Sequence, residues 1–401
     1  SIRRQRQMCI RDSVVTTLVN QGTITADAPG RFLEVAPDGA YLATFTNTGT
    51  VRGTAGGLLL VSATRVTNYS GDNFGTLTGG TWRADASSAV TLANGRDIAV
   101  NNAVIILGGS GATFTNFMET FRTNNGTITV KNGVIWSRSF PINNNGVITL
   151  ESVSNLNFSA GGTHTGTFNI GGNSVLVLTG STIFAPSARI LGTGYLQFSV
   201  GTLSLTDIFG PASGITLVVG RNATINLASS LRLGSINNSG TLNIEHHALS
   251  LTNTFTQTST GTLVLDLFGA GSYGQIAASV GVVMGGAIRV TNSLGFDPSN
   301  DREYFYTALL LQAPSMSGSF ASFAAPSLLA GSFMWTAAAH SFELWHNIAD
   351  YNGDGGVDGN DLEGFLAAWA TGALYGDINC DGGTDGNDIE VFFRLWEMGG
   401  R

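Results

Sequence analysis

The sequence has only two cysteines, Cys9 and Cys380, and a single lysine, Lys131. Two cysteines exclude a disulfide framework, and they form no CxxC or Cys/His spacing of the kind that binds zinc. Charged residues make up only 11% of the chain, and the net charge of −8 argues against nucleic acid as a partner. No apolar run reaches the length of about 18 residues that a transmembrane helix needs.

The chain also lacks the apolar stretch of about 7–15 residues that a signal peptide requires. Residues 1–13, SIRRQRQMCIRDS, resemble the translated read-through of a sequencing adapter, and the alternative is a disordered basic tail. In both interpretations these residues lie outside the fold. Loss of the natural N-terminus would account for the lack of a signal peptide, so secretion stays open.

Glycine is abundant, with 54 residues, and 43% of the chain is apolar. This is too apolar, with too small a net charge, for a disordered chain. Small polar residues between short β-branched runs are typical of many short strands joined by tight turns.

One phrase recurs along residues 14–275: a turn with Asn and Gly, followed by alternating Thr and aliphatic residues. It occurs at residues 20–25, 47–51, 124–130, 143–150, 165–170, 238–244 and 260–267. The alternation places aliphatic side chains on one face of a strand and hydroxyls on the other. We predict that each glycine supplies the positive φ of a tight turn.

The glycines of this phrase recur at nearly regular intervals. The spacing is 20 for Gly126, Gly146 and Gly166, 21 for Gly240 and Gly261, and 27 and 26 for Gly22, Gly49 and Gly75. A period near 20 predicts one coil of a β-solenoid. We therefore predict a mainly β fold, a right-handed β-solenoid or β-helix over residues 14–275. The alternative is a large antiparallel β-sandwich.

The pattern changes over residues 276–346, which include a Gly-Phe-x-Pro turn at 295–298, an aromatic strand and a final strand SFELWHN. We predict a β-rich cap that covers the open end of the solenoid. The segment resembles the one that closes autotransporter-passenger-like and planctomycete surface solenoids. That resemblance implies an extracellular solenoid without enzymatic activity.

Two acidic loops follow, DYNGDGGVDGND at 350–361 and DINCDGGTDGND at 377–388. Between residues 350 and 372, thirteen positions carry the same residue as the position 27 further along. A calcium loop supplies oxygen ligands from positions 1, 3, 5, 7, 9 and 12, with a sharp turn at position 6. The predicted ligands are Asp350, Asn352, Asp354, Gly356 (carbonyl), Asp358 and Asp361, then Asp377, Asn379, Asp381, Gly383 (carbonyl), Asp385 and Asp388. Gly355 and Gly382 stand at position 6. The sequence thus predicts two Ca²⁺ ions; the alternative is a pair of acidic turns without metal.

An apolar face follows each loop at helical spacing. The two faces are Leu362, Phe365, Leu366 and Trp369, then Ile389, Phe392, Phe393 and Trp396. Each face predicts one helix per loop. In a domain this small these side chains are predicted to form the core, and a docking face is the alternative.

A loop followed by a helix, twice, with Asp at position 12, resembles the dockerin type I family. Cys380, Gly382-Gly383 and Trp396 resemble the GC-type dockerin-like anchors of planctomycete proteins. The resemblance implies a small α-helical domain at residues 347–401 that folds around two calcium ions and docks onto a cohesin. Positions 10 and 11 are Gly359-Asn360 and Gly386-Asn387 rather than Ser-Thr pairs. The expected partner is therefore a cohesin-like or another cell-surface docking protein.

Catalytic residues are not predicted. Acids before residue 347 are scattered singly, whereas a glycosidase needs two carboxylates close together. Glu245, His246 and His247 form one polar cluster, but neighbouring strand residues point to opposite faces, so the two imidazoles are poorly placed to bind one metal. We interpret the cluster as a solvated strand surface; the alternative is a metal or catalytic site.

Three functions remain open. We favour a secreted or cell-surface structural or adhesive protein. The alternatives are a dockerin-borne glycoside hydrolase or polysaccharide lyase, and a carbohydrate-binding protein with an exposed aromatic row. Trp82, Trp136 and Tyr195 are the candidates for that row.

Overall fold

The computed structural model describes residues 17–35, 44–210, 213–269, 271–293, 296, 307–328, 332–379 and 381–397. Within them the chain is mainly β, with about 53% strand and 9% helix, and forms a β-solenoid of about 11 turns. The predicted solenoid is confirmed, while its right-handed winding stays a prediction. Residues 1–13 and both cysteines lie outside the described residues.

The chain divides into two compact units, residues 1–203 with 208–217, and residues 204–207 with 218–401. The strands that begin in the first unit are Thr17–Asn20, Thr23–Ala26, Phe32–Val35, Thr44–Asn47, Thr50–Gly53, Leu58–Val61, Arg65–Val66, Tyr69–Ser70, Phe74–Asp85, Ala89–Leu92, Asp97–Gly108, Thr113–Phe114, Thr123–Asn124, Thr127–Lys131, Ile135–Arg138, Asn143–Asn144, Val147–Glu151, Asn155–Phe158, Gly162–His164, Thr167–Ile170, Val175–Leu178, Thr182–Phe184, Arg189–Gly192, Tyr195–Leu205 and Thr216–Leu227. A short helix, α1 (Thr115–Met118), interrupts them.

The remaining strands belong to the second unit: Leu231–Leu233, Ser235–Asn238, Thr241–Glu245, Ala248–Leu251, Thr254–Gln257, Thr262–Gly269, Ser272–Tyr273, Gln275–Ala278, Gly281–Met284, Ala287–Thr291, Thr307–Gln312, Met316–Gly318, Ser322–Ala324, Ser332–Ala337 and Ser341–Asn347. Helices α2 (Gly359–Thr371) and α3 (Gly386–Glu397) follow, with the 3₁₀ turn Leu374–Gly376 between them. In the described part of the chain, no helix combines the length and the apolar composition needed to cross a bilayer.

Strands one coil apart lie in parallel register, which excludes an antiparallel sandwich. In the first unit, Thr127–Lys131 pairs with Val147–Glu151, which pairs with Thr167–Ile170, each at an offset of 20 residues. Along the first of these strands the aliphatic residues are fully buried and the threonines are half-buried. The predicted alternation between an apolar interior and a hydroxyl-bearing surface is confirmed.

The glycines of the repeated phrase do not adopt positive φ, so that prediction was wrong. Most of them stand where neighbouring coils approach too closely for a side chain: Gly49, Gly126, Gly146, Gly166, Gly240 and Gly261. A Cβ at Gly146 would lie 2.1 Å from the carbonyl oxygen of Gly126, and a Cβ at Gly166 would lie 2.1 Å from that of Gly146. Left-handed φ occurs instead at a later turn of the coil, at Asn132 (57°) and Gly133 (80°). The glycine spacing therefore reflects the stacking of coils.

Gly75 does not belong to the stack of Gly22 and Gly49, contrary to the predicted spacing. Thr50 pairs with Thr81, so Gly80 follows Gly49 in the stack. The coil is enlarged there because one extra short strand, Tyr69–Ser70, lies between these positions, and Gly75 pairs with Ile98 of another strand.

Buried asparagines form a ladder along the inner side of the Asn-Gly turns. Asn101 donates its amide to Oδ1 of Asn124 at 2.9 Å, and Asn124 donates to Oδ1 of Asn144 at 2.8 Å. All three side chains are fully buried. The main-chain N–H groups of Asn145 and Gly146 donate to the carbonyl of Asn124. Each turn is therefore fixed by the inward-facing asparagine of the preceding coil.

His164 occupies the ladder position one coil after Asn144. The main-chain N–H of Asn144 donates to His164 Nδ1 at 3.3 Å, and the ring packs among Phe158, Phe168 and Phe184 at centroid distances of 5.1–6.4 Å. His164 Nε2 is buried without a hydrogen-bond partner among the described residues. Burial lowers the pKa of His164 to about 4, so this imidazole is neutral at pH 7.

We expect His164 to make stability depend on pH. The unfolded chain binds a proton below about pH 6.5, whereas the folded chain binds it only near pH 4, so stability is lost as pH falls between these values. The loss should reach roughly 1 kcal/mol by pH 5.5. Urea denaturation at several pH values should therefore show a shallower dependence for His164→Asn. The same replacement of the exposed His340 controls for the loss of an imidazole as such. Equal slopes for wild type and His164→Asn would contradict the argument.

In the second unit the parallel coils continue beyond residue 276. Gly281–Met284 pairs with Met316–Gly318, and Ala287–Thr291 pairs with Ser322–Ala324. The last strand, Ser341–Asn347, is antiparallel to both of its neighbours, Thr307–Gln312 and Ser332–Ala337. Residues 276–346 thus contain both continuing coils and an antiparallel end. Of the Gly-Phe-x-Pro turn, only Phe296 lies within the described residues.

Candidate calcium-binding module

The final strand leads directly into the first acidic loop. Ile348 and Ala349 are buried, so no solvated linker separates the strand from Asp350. Oδ2 of Asp350 accepts the main-chain N–H of Gly355 at 3.0 Å and the hydroxyl of Ser332 at 2.5 Å. Position 1 of the loop is therefore tied both to the loop's own turn and to a strand of the sheet.

The rest of the first loop is a series of short-range carboxylate and amide bonds. Asn352 Oδ1 accepts the N–H of Asp354 at 2.8 Å, and Asp354 Oδ1 accepts that of Gly356 at 2.9 Å. At position 12, the two oxygens of Asp361 accept the N–H groups of Asn352 and Asp358 at 3.0 and 2.7 Å. These bonds close the loop around positions 1, 3, 5 and 12.

Position 9 begins the helix that follows each loop. Asp358 is the N-cap of α2, its side chain accepts the N–H of Asn360 at 2.8 Å, and it forms a capping box with Asp361. A capping box satisfies helix N–H groups that have no partner inside the helix. The loop acids thus also start the helix, which explains why Asp rather than an apolar residue stands at both positions.

The second loop repeats this geometry 27 residues later. Oδ2 of Asp377 accepts the N–H of Gly382 at 3.0 Å, and Asp388 accepts the N–H groups of Asn379 and Asp385 at 3.1 and 2.8 Å. Asp381 Oδ1 accepts the N–H of Gly383 at 3.1 Å. At position 6, φ is 93° for Gly355 and 97° for Gly382, so the predicted sharp turn is confirmed at both glycines.

Four loop carboxylates are almost completely buried: Asp350 (1% exposed), Asp361 (0%), Asp377 (3%) and Asp388 (0%). Within the described part of the chain, Oδ1 of Asp350 has no hydrogen-bond partner. Among the described residues, Asp350, Asp361 and Asp388 form no ion pair with a basic side chain. A buried carboxylate without a positive charge nearby is strongly unfavourable.

These oxygens suit calcium, which prefers six to eight hard oxygen ligands from carboxylates, amides and backbone carbonyls. A bound Ca²⁺ would supply the missing charge and a partner for the unpaired oxygen. Across the described ranges, no three His, Cys, Asp or Glu side chains are drawn together as a preformed metal cluster. The loop oxygens engage the loop's own N–H groups, so calcium binding stays a prediction.

The helices pack their apolar faces together, as predicted. A cluster of buried side chains forms the core of the module: Ile348, Tyr351, Phe365, Ala368, Ile378 and Phe392. Phe365 and Phe392 are equivalent in the two repeats, and their rings stack at 4.2 Å with an interplanar angle of 9°. The exceptions are Leu366, of which 37% is exposed, and its counterpart Phe393, which lies outside this core. The helix faces are therefore core rather than an open docking surface.

The structure corrects the interpretation of the histidine pair. Glu245 ends its strand with φ of 48°, so the chain turns at His246 instead of continuing as a strand. The rings of His246 and His247 lie 4.5 Å apart rather than on opposite faces, and Phe268 lies 4.4 Å from His246. Burial lowers the pKa of His247, the neighbouring His246 lowers it further, and Glu245 opposes both.

The structure also corrects the candidate aromatic row. Trp82 is 0% exposed and Trp136 is 2% exposed, whereas Tyr195 is 37% exposed. Trp82 stacks on Phe114 at 6.1 Å, and Trp136 packs against Phe117 at 5.0 Å. The two tryptophans fill the solenoid interior and offer no surface to a sugar.

Two surface grooves bear on the enzyme alternative. One of about 600 Å³ is lined by Arg232, Ser250, Leu251, Thr252, Ala277, Ala278, Ser279, Gln312, Ala313, Pro314 and His340. Another of about 340 Å³ is lined by Arg289, Val290, Thr291, Asn292, Ser293, Ala324, Ala325 and Pro326. Neither lining contains a carboxylate, whereas glycoside hydrolysis requires two.

No protein-family model matches the sequence, and no curated protein matches it. Among solved structures, the crystal structure of the Haemophilus influenzae Hap adhesin is similar, with 15% sequence identity and a TM-score of 0.47. The match covers 76% of this chain and 33% of the adhesin chain. This chain therefore spans about a third of the length of the protein it matches. A similarity at this level does not establish a shared function.

Proposed function

We propose that this chain is a structural or adhesive β-solenoid protein, secreted or displayed on a cell surface. Residues 347–401 would hold it in place as a calcium-dependent module of the dockerin kind. Its docking partner would be a cohesin-like or other surface protein. A polysaccharide is a second candidate ligand, for the solenoid surface.

One observation carries the proposal: two equivalent loops bury carboxylates at positions 1 and 12, and Oδ1 of Asp350 has no hydrogen-bond partner among the residues that the structure describes. A module stabilised by its own few apolar residues gains much of its folding free energy from a bound metal. Calcium at extracellular concentrations of about 1 mM would occupy roughly half to nine-tenths of sites with the affinity found in extracellular modules. The module would therefore be folded outside a cell.

The solenoid supports a structural role. Its coils stack in parallel, many of its large aromatic side chains, among them Trp82 and Trp136, are buried, and the two grooves contain no carboxylate. A regular parallel stack provides a long, stable surface, because each coil is stabilised by its neighbours. No observation in the described residues favours a hydrolase or a lyase over this role.

Calorimetric titration of the full chain with calcium should show two binding events. Asp350→Asn should remove the event of the first loop and Asp377→Asn that of the second, because each keeps the side chain's shape but loses its charge. Calcium should also raise the melting temperature of the wild type, since a ligand that binds only the folded state stabilises it.

Glu363→Gln and Glu390→Gln are matched controls. Both acids are exposed on the helices that follow the loops, and each substitution removes one negative charge without altering a loop. Two binding events should persist in both controls. If the wild type took up no calcium at millimolar concentration, the proposed anchoring module would be rejected.

A further inference from the structure

The two loops are joined by a pair of crossed hydrogen bonds. Trp369, late in α2, donates its indole N–H to the main-chain carbonyl of Asp385 at 2.7 Å. Trp396, at the equivalent position of α3, donates to the carbonyl of Asp358 at 3.2 Å. Each tryptophan therefore contacts position 9 of the loop that precedes the other helix.

The surrounding packing follows the same internal symmetry. Residues 369 and 396 are 27 apart, as are 358 and 385. The stacked pair Phe365 and Phe392 are also equivalent, so the two halves meet at matching side chains. Both tryptophans pack against the module's core. The crossed bonds are therefore part of the contact between the halves and not an isolated surface feature.

The bonded carbonyl lies at a critical point of each loop. Asp358 is both a predicted calcium ligand and the N-cap of α2. Within α2, the carbonyl of Asp358 accepts the N–H of Leu362 at 3.4 Å. This contact is longer than the 3.2 Å between the same carbonyl and the indole nitrogen of Trp396. The indole thus fixes the peptide group that carries the position 9 side chain. Holding that peptide in place pre-orders the ligand and reduces the entropy lost on binding.

We propose that Trp369 and Trp396 are crossed positioning residues: Trp369 prepares the second loop for calcium, and Trp396 prepares the first. The two calcium sites would then be coupled, since each loop is completed by the helix of the other. This inference rests on the proposed calcium binding and adds to it a specific direction of coupling. Coupling between two binding sites is reciprocal, so occupation of either loop should favour the other.

The test is calorimetric titration of the full chain with calcium, one loop at a time. In an Asp377→Asn background only the first loop remains. There Trp396→Phe should weaken calcium binding by about fivefold, the worth of one hydrogen bond of roughly 1 kcal/mol. Trp369→Phe should leave that loop's affinity within about twofold. In an Asp350→Asn background the roles of the two variants should reverse.

Far-UV circular dichroism at saturating calcium, compared with the wild type, shows whether each variant keeps its helices. If either variant weakened calcium binding by both loops equally, the tryptophan would have a general packing role and the proposal would be overturned. The proposal would also be overturned if a variant weakened calcium binding by the loop that precedes the tryptophan's own helix. Loss of the helices in a variant would overturn it as well. Calcium binding by the wild type with no effect of either variant would reject the coupling but leave the calcium module standing. Absence of binding in the wild type would reject both.

Discussion

Replacement of Asn124 by alanine is expected to lower the free energy of unfolding by about 3 kcal/mol. The Asn124 side chain accepts a hydrogen bond from Asn101 and donates to Asn144 and to the carbonyls of Gly126 and Val147, at 2.8–3.2 Å. Alanine removes all four bonds and leaves their partners buried with fewer or no bonds. Urea denaturation of the full chain, followed by circular dichroism, measures the loss.

Asn125 is the matched control because it is the next residue in the same turn. It is exposed, donates to Asn102 at 2.9 Å and accepts from Asn145 at 3.0 Å. Water can replace these bonds, so Asn125→Ala should change stability by less than about 0.5 kcal/mol. Similar losses for the two variants would mean that the inward ladder has no special role.

Gly146→Ala is also expected to lower the free energy of unfolding by about 3 kcal/mol, for a steric reason. The new Cβ would lie 2.1 Å from the carbonyl oxygen of Gly126 and 2.7 Å from the carbonyl carbon of Asn125. Neither coil can move away easily, because the strands that follow are paired in register over five residues. The midpoint of urea denaturation should fall accordingly.

Gly22 offers the matched substitution, since it holds the same place in an earlier copy of the phrase. A Cβ there would meet no atom of the described residues within 4 Å. Gly22→Ala should be neutral or slightly stabilising, because alanine restricts the unfolded chain. If Gly22→Ala and Gly146→Ala were equally harmful, coil stacking would not be the reason for these glycines.

The solenoid could be predicted because its two periods are visible in the residues themselves. Alternation along NNGTITV placed Ile128 and Val130 inside, and the spacing of 20 between Gly126 and Gly146 set the coil length. Both features depend on local chemistry that repeats. The enlarged coil after Gly49 broke the pattern, because an inserted strand changes the spacing without leaving a periodic signal.

What sequence could not supply was the direction of side chains and the distances between coils. Trp82 and Trp136 looked like surface aromatics, but only the coil register shows that they stack inside with Phe114 and Phe117. The close approach that requires Gly146 is likewise a property of two coils, not of one turn. One signal was present in advance: an asparagine stands two residues before Gly126, as it does before Gly146.

In the module, repetition at an offset of 27 was sufficient to predict the loops, the glycines at position 6 and the apolar faces of both helices. The crossed bonds of Trp369 and Trp396 could not be predicted, because they depend on how the two halves pack. The tie between Ser332 and Asp350 joins residues from different segments and was also missed. Whether calcium occupies the loops stays a prediction for the titration.

The direct junction between the final strand and the first loop has a mechanical consequence. If the module is the point of attachment, a pulling force reaches the sheet along the axis of Ser341–Asn347. That strand is paired on both sides, with Thr307–Gln312 and Ser332–Ala337, so its hydrogen bonds bear the load together in shear rather than opening one by one. Ser332 adds a link from the neighbouring strand to Asp350. Because no solvated linker separates the strand from the loop, the junction cannot lengthen under load and would resist detachment under tension.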